Sequence, residues 1–112
     1  MTEAQGHGGT GAQEKRVLVD RAGGVATLTL NRPDKKNAID RRMIAELKTA
    51  IETMDLAADV RIVVIRGAGK DFCAGLDLNE LLESADLTPE QNEQRAWDFG
   101  EVFVMLRRLP KV

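Results

Sequence analysis

The sequence predicts an α/β domain, on three observations. Residues 25–30, VATLTL, alternate so that Ala26, Leu28 and Leu30 share one side and Val25, Thr27 and Thr29 the other, as in a half-buried strand. Met43, Ile44, Leu47, Ile51 and Met54 recur at helical spacing. Ile62, Val63, Val64 and Ile65 are consecutive branched apolar residues, the pattern of a strand covered on both faces. Strand, helix and strand in this order predict a right-handed βαβ crossover with parallel pairing.

Each element has its own local signal. The first fifteen residues, MTEAQGHGGTGAQEK, are glycine-rich and hold almost nothing apolar. Such a stretch buries too little surface to offset its ordering entropy, so residues 1–15 are read as a disordered tail and 16–112 as the folded part. Val17 and Val19 belong to a short alternating segment, and Gly23-Gly24 between it and the next strand is a hairpin signal. Asn31-Arg32-Pro33-Asp34 ends that strand, because proline removes a ladder donor and pushes its predecessor out of the helical region. Asp40 is placed to cap the following helix, with Arg41, Arg42, Lys48 and Glu52 away from its apolar side.

Downstream, Asp77 to Glu83 has helical character, with Asp77 placed to cap the amide of Glu80 and Leu78, Leu81 and Leu82 on one side. Thr88-Pro89-Glu90-Gln91 is a capping box with proline at the first helical position. The helix it opens is expected to run to Arg108, with Ala96, Phe99, Val102, Phe103, Leu106 and Leu109 as an apolar stripe. Pro110 stops it. Lys111-Val112 reads as the approach to a further strand, so a domain cut short is the expectation.

The chemistry concentrates in Gly67 to Asp77, GAGKDFCAGLD, between a strand and a short helix. Ligands of open α/β sheets bind outside the carboxyl ends of the strands, where this loop belongs. It is not a Walker A loop, since position 64 is valine and Asp71 follows Lys70. Nor is it the dinucleotide fingerprint, whose third glycine position is Phe72. Gly75 permits a sharp turn at a helix entrance, which would leave the Leu76 amide among the unpaired donors of a helix N-terminus. A donor of that kind can hold a developing oxyanion. The spacing alone equally allows Gly75 to close a turn and Asp77 to cap a helix, with no chemistry.

Asn31-Arg32-Pro33-Asp34-Lys35-Lys36-Asn37-Ala38 resembles the "NRP…NA" segment of the crotonase (enoyl-CoA hydratase/isomerase) family. Lys70-Asp71-Phe72-Cys73-Ala74-Gly75-Leu76-Asp77-Leu78 resembles that family's "F-(C/S/A)-(A/S)-G-x-D-(L/I)" segment. The intervening helix and strand and the downstream LRRLPK agree in order and length, so the resemblance covers residues 16–112. It implies a crotonase-like (ClpP/crotonase) spiral of ββα units, here truncated, acting on an unsaturated acyl-CoA thioester. It also implies that the Leu76 backbone amide is one of two oxyanion donors to an enolate. The backbone around Ala38, Ala74, Gly75, Asp77 and Leu78 would line the groove for the adenine end of coenzyme A, with Lys35 and Lys36 near its phosphates. The second oxyanion donor and the acid/base residues of the family belong to a later region than this sequence contains.

The same resemblance implies no cofactor beyond the coenzyme A of the substrate, no metal, and a homotrimer or hexamer in the full-length form. A net charge of −2 gives no general attraction to nucleic acid or anionic membranes. No apolar run is long enough to span a bilayer, and the start lacks a signal-peptide core. The single cysteine excludes an internal disulfide, and a cytoplasmic protein is the expectation.

Three bland alternatives stand beside these readings. Cys73 is read as a packed thiol, since His7, the one histidine, lies in the tail. The zone of Arg32, Lys35, Lys36, Arg41 and Arg42 is either a solvated face or a phosphate contact. Trp97 and Phe103 are read as core or subunit contacts. The rival functions are a non-catalytic acyl-CoA-binding or assembly fragment, and a serine peptidase on the related spiral. The peptidase would have to use Ser84, which has no histidine near it in sequence.

Overall fold

The computed structural model describes residues 14–112. The part of the expected tail before residue 14 lies outside them. Lys15 is already attached, its carbonyl accepting from the Asn31 side chain at 3.0 Å.

Strand β1 (Val17–Ala22) and strand β2 (Val25–Leu30) form the expected hairpin, pairing from Val17↔Leu30 to Ala22↔Val25. Gly23 and Gly24 have φ of 58° and 83°, the positive values that a two-residue hairpin turn demands and that glycine adopts freely. After a short 3-10 turn (Pro33–Lys35), helix α1 (Arg41–Leu56) crosses to strand β3 (Ile62–Gly67), which pairs with β2 in parallel. Helix α2 (Leu78–Glu83), a second 3-10 turn (Ser84–Asp86) and helix α3 (Pro89–Arg108) complete the described elements. The sheet order is β1-β2-β3.

The core lies on one sheet face. Ala26, Leu28 and Leu30 of β2 are buried there against Met43, Leu47, Ala50, Ile51 and Met54 of α1, with Val60 and Val102 closing the cluster. Parallel register places Val63 beside Ala26 and Ile65 beside Leu28, so both join this face. Here the structure corrects the expectation of a β3 covered on both sides. Ile62 and Val64 are each 41% exposed, because no described element covers the opposite face. The α3 stripe is corrected too. Of its expected members only Val102 is buried, Phe99, Leu106 and Leu109 are partly packed, and Ala96 and Phe103 are exposed. Trp97 is 70% exposed, so neither it nor Phe103 is a core residue.

The helix ends are closed by the residues the sequence points to. Asp40 accepts from the amide of Met43 at 2.8 Å, and Thr88 and Gln91 form a reciprocal capping box. At the other end of α1, the Lys111 ammonium donates to the carbonyls of Ala57 and Val60 at 3.1 and 2.8 Å, complementing the negative end of the helix. Val112 accepts from the Val63 amide at 2.8 Å and donates to the Arg61 carbonyl at 3.2 Å, so it adds to the free edge of β3 as a parallel strand would.

Leu28 has no solvent exposure and sits between α1 and both neighbouring strands. Leu28→Ala is expected to lower unfolding stability by about 2.7–5 kcal/mol. Val64→Ala, on the open face, is expected to cost well under half of that; urea titration of both variants measures the contrast.

Candidate active site

The site is a seam between two loops that are distant in sequence. Residues 36–39 follow the 3-10 turn, and residues 74–77 lead into α2. Ala74 donates to the Lys36 carbonyl at 3.0 Å, Ile39 to the Gly75 carbonyl at 2.7 Å, and Asp77 to the Ile39 carbonyl at 2.8 Å. The last two bonds make a parallel bridge between Ile39 and Leu76. In a parallel bridge the bonds engage the neighbours of one residue and leave its own N–H and C=O facing the other way. The Leu76 amide accordingly has no acceptor among the described residues.

This changes the physical origin of the predicted donor. Asp77 is the N-cap of α2 and Leu78 its first residue, so Leu76 precedes the cap and is not among the helix's own orphan amides. Strand-like alternation frees it instead. Gly75, with φ of 101°, supplies the turn that brings this alternation about. A Cβ at Gly75 would meet nothing within 4 Å, so the requirement there is conformational and not steric.

Asn37 locks the seam to β3. It is fully buried with φ of 58°, a left-handed conformation that asparagine tolerates better than most residues. Its side-chain oxygen accepts from the Arg32 amide at 2.8 Å, and its amide nitrogen donates to the carbonyls of Ala68 and Asp71 at 3.0 and 2.8 Å. Gly67 must be glycine for a steric reason, since an added Cβ would lie 2.2 Å from the Asp71 carbonyl oxygen and 2.5 Å from that of Phe72.

Arg32 joins the two helix caps. Its guanidinium donates to Asp77 at 2.8 Å and to the Ala38 carbonyl at 3.0 Å, and lies 3.6 Å from Asp40. Arg16 reaches Asp40 from the other side at 3.0 Å. Asp77 also accepts from the Glu80 amide at 3.1 Å, while the Glu80 carboxylate accepts from the Arg41 amide, the first of α1, at 3.1 Å. Burial raises the Asp77 pKa, but the Arg32 hydrogen bond, the Glu80 amide, the Arg32 charge and the Asn79 amide together hold it below its ordinary value of 3.8.

Beside Leu76 opens a cleft of about 490 Å³ between α1, α2 and α3, lined among others by Ile44, Leu76, Glu80, Leu81, Arg95 and Phe99. Leu76 contributes to both the seam and the cleft. Leu78, Lys35 and Lys36 are exposed on the seam side, and neither lysine has an ion-pair partner among the described residues. Ala38 and Gly75 are half-buried and Ala74 is exposed, within the seam itself. Asp77 is buried and its carboxylate is committed to Arg32 and to the start of α2. Cys73 is half-buried against the core, its sulfur 3.4 Å from the Gly75 amide. Ser84 Oγ bonds to the Leu81 carbonyl. The reading of Arg32 as part of a solvated or phosphate-contacting basic zone is corrected, since its side chain is 12% exposed and committed to Asp77 and Asp40. The sequence reading gave no role to the side chains of Asn37 and Arg95. For Asn37 a signal existed, since an asparagine after a Pro-Asp turn is a candidate for positive φ.

Comparison with known proteins agrees in extent with the described fold. The enoyl-CoA hydratase/isomerase family model matches residues 20–111. A Mycobacterium tuberculosis protein named "Probable enoyl-CoA hydratase EchA14" is 46% identical over 101 residues, which are 90% of this chain and 39% of that protein. The crystal structure of an enoyl-CoA hydratase from Shewanella pealeana superposes with a TM-score of 0.84 at 34% identity, over 89% of this chain and 38% of that one. An enoyl-CoA hydratase from Mycobacterium smegmatis superposes with a TM-score of 0.79 at 40% identity, over 86% and 37%. The chain thus spans about two fifths of the length of the relatives it matches.

Two consequences follow for experiment. Asn37→Ala strips partners from one amide and two carbonyls and is expected to destabilise the chain by about 2–5 kcal/mol, measured by thermal or urea unfolding. The low pKa of Asp77 contributes stability that is complete above its unfolded value and lost as the pH falls through the folded one. Stability is therefore expected to decline with acidification below about pH 4, and Asp77→Asn to flatten that decline in a pH series of urea midpoints.

Proposed function

The chain belongs to the enoyl-CoA hydratase/isomerase family, and from that premise we propose that its seam binds an unsaturated acyl-CoA thioester and stabilises the enolate formed at its carbonyl. One observation carries this reading: the Leu76 amide has no acceptor among the described residues, on a residue that lines a largely apolar cleft. A thioester oxygen placed against that amide gains a hydrogen bond that strengthens as negative charge develops. One such donor is worth about 2.7–4 kcal/mol in the transition state. The donor is a backbone group held by flanking bonds, so it needs little reorganisation when charge appears.

In this reading the acyl chain enters the cleft, while coenzyme A lies along the backbone of Ala38, Ala74, Gly75, Asp77 and Leu78. Lys35 and Lys36, exposed and without an ion-pair partner among the described residues, are suited to its phosphates. The reaction is hydration, with water added across the double bond, or migration of the double bond by removal and return of a proton. Both belong to fatty-acyl metabolism, and neither calls for a separate cofactor. The same reading has the protein in the cytoplasm, with the full-length form a homotrimer or hexamer. The exposed Trp97, Phe103 and Leu82 are surfaces that such an assembly would cover.

A second reading has its own support. The carboxylates lining the cleft, Glu80 and Asp98, are engaged by the Arg41 amide and by Lys48 and Gln94 respectively. Both are already engaged by neighbouring groups, and in this reading the stretch by itself would bind and polarise the thioester without turning it over.

Leu76→Pro removes the amide hydrogen, whereas Leu76→Ala keeps it. Infrared spectroscopy of a ¹³C-carbonyl acyl-CoA is expected to show a lowered carbonyl frequency on binding to the wild-type chain and to Leu76→Ala, and none with Leu76→Pro. An unshifted carbonyl on the wild-type chain sinks the oxyanion assignment.

A further inference from the structure

The cleft beside Leu76 has apolar walls from Ile44, Leu81 and Phe99, and the three cations that line it are paired unevenly. Arg41 lies 3.7 Å from Glu80, and Lys48 lies 3.6 Å from Asp98 and 2.8 Å from Glu101. Asp98 accepts in addition from Gln94. Arg95 on α3 is the cation left over. It lines the cleft, is half-buried, and has neither an ion pair nor a hydrogen bond among the described residues. The other unpaired cations of the described chain, such as Lys35, Lys36, Lys70 and Arg107, are exposed, where water solvates them. A guanidinium stays charged at every working pH, and its planar fork matches a carboxylate with two parallel bonds. Partial burial without a counter-charge costs free energy that an incoming anion recovers.

We propose that Arg95 receives a carboxylate at the far end of the acyl group, so that the substrate class is ω-carboxyl acyl-CoA thioesters and Arg95 is a specificity-determining residue. This rests on the reading of Leu76 as the thioester site. The alternative source of negative charge is a phosphate of coenzyme A. Against it, Lys35, Lys36, Ala38 and Ala74, which define the seam side, contribute nothing to the cleft, and Leu76 is where the two regions meet. A ligand with its carbonyl at Leu76 therefore directs its acyl end, and not its nucleotide end, toward Arg95.

The test is isothermal titration of the whole chain with two matched pairs, hexanoyl-CoA against adipyl-CoA and octanoyl-CoA against suberyl-CoA, with free coenzyme A alongside. In each pair the carbon count is shared and only a terminal carboxylate differs. At least one dicarboxylic ester is expected to bind about tenfold or more tightly than its partner, the least that a charge-assisted hydrogen bond supplies. Arg95→Met is expected to abolish that preference, and Arg95→Lys to keep part of it. Both replacements are good helix formers at a position outside the core, and circular dichroism checks that they fold. Equal affinities within both pairs overturn the inference and leave the proposed function standing. A uniform loss in Arg95→Met that extends to free coenzyme A assigns Arg95 to a phosphate and also overturns it. Absence of binding by every acyl-CoA removes the proposed function, and this inference with it.

Discussion

The fold of the site depends on the Arg32 guanidinium. Its side chain is 12% exposed and lies between Asp77, Asp40 and the Ala38 carbonyl. Each carboxylate is the N-cap of a helix, so a single cation sets where α1 and α2 begin relative to the turn that Arg32 itself opens. Buried ion pairs of this kind add little net stability over apolar packing, yet removing one partner strands the other charge at a cost of about 3–5 kcal/mol. Their value here is geometric. Asp77 is fixed by Arg32, and its amide bonds to Ile39, so the Leu76 N–H between Gly75 and Asp77 has its direction set by covalent neighbours that cannot rotate.

Asn37 provides a second constraint, tying the turn to the end of β3. Gly67 allows the close approach by having no Cβ. Together these contacts bring the carboxyl ends of β2 and β3 and the starts of α1 and α2 to one place. Parallel α/β structures gather ligands at such places because strand ends and helix starts both present backbone donors. In this chain the presented donor comes from an isolated bridge just ahead of the helix.

What the sequence revealed divides by range. The Gly-Gly hairpin, the Asp40, Asp77 and Thr88 caps, the apolar face of α1 and the parallel crossover were all legible, because each is encoded within a few residues or by periodicity. The exposure of Ile62 and Val64 was not, since a run of branched residues states that a strand is apolar without stating what lies on it. The α3 stripe failed for the same reason at Ala96 and Phe103. That the Leu76 amide would be an unpaired donor was legible in the Gly75 turn ahead of it. The cause of its free amide was not, because that cause is pairing with Ile39. Arg32, Asn37 and Arg95 were missed in their side-chain roles, since their partners, or the absence of partners, become visible only when separate loops and helices meet.

The central claim is that the Leu76 amide is aimed at a thioester oxygen. Amide proton and nitrogen NMR shifts of Leu76, followed while hexanoyl-CoA is added, report on it directly. A downfield shift of the Leu76 proton that free coenzyme A does not reproduce is the predicted result, since only the ester carries the accepting carbonyl. A Leu76 resonance that stays in place while the ligand binds elsewhere would contradict the account.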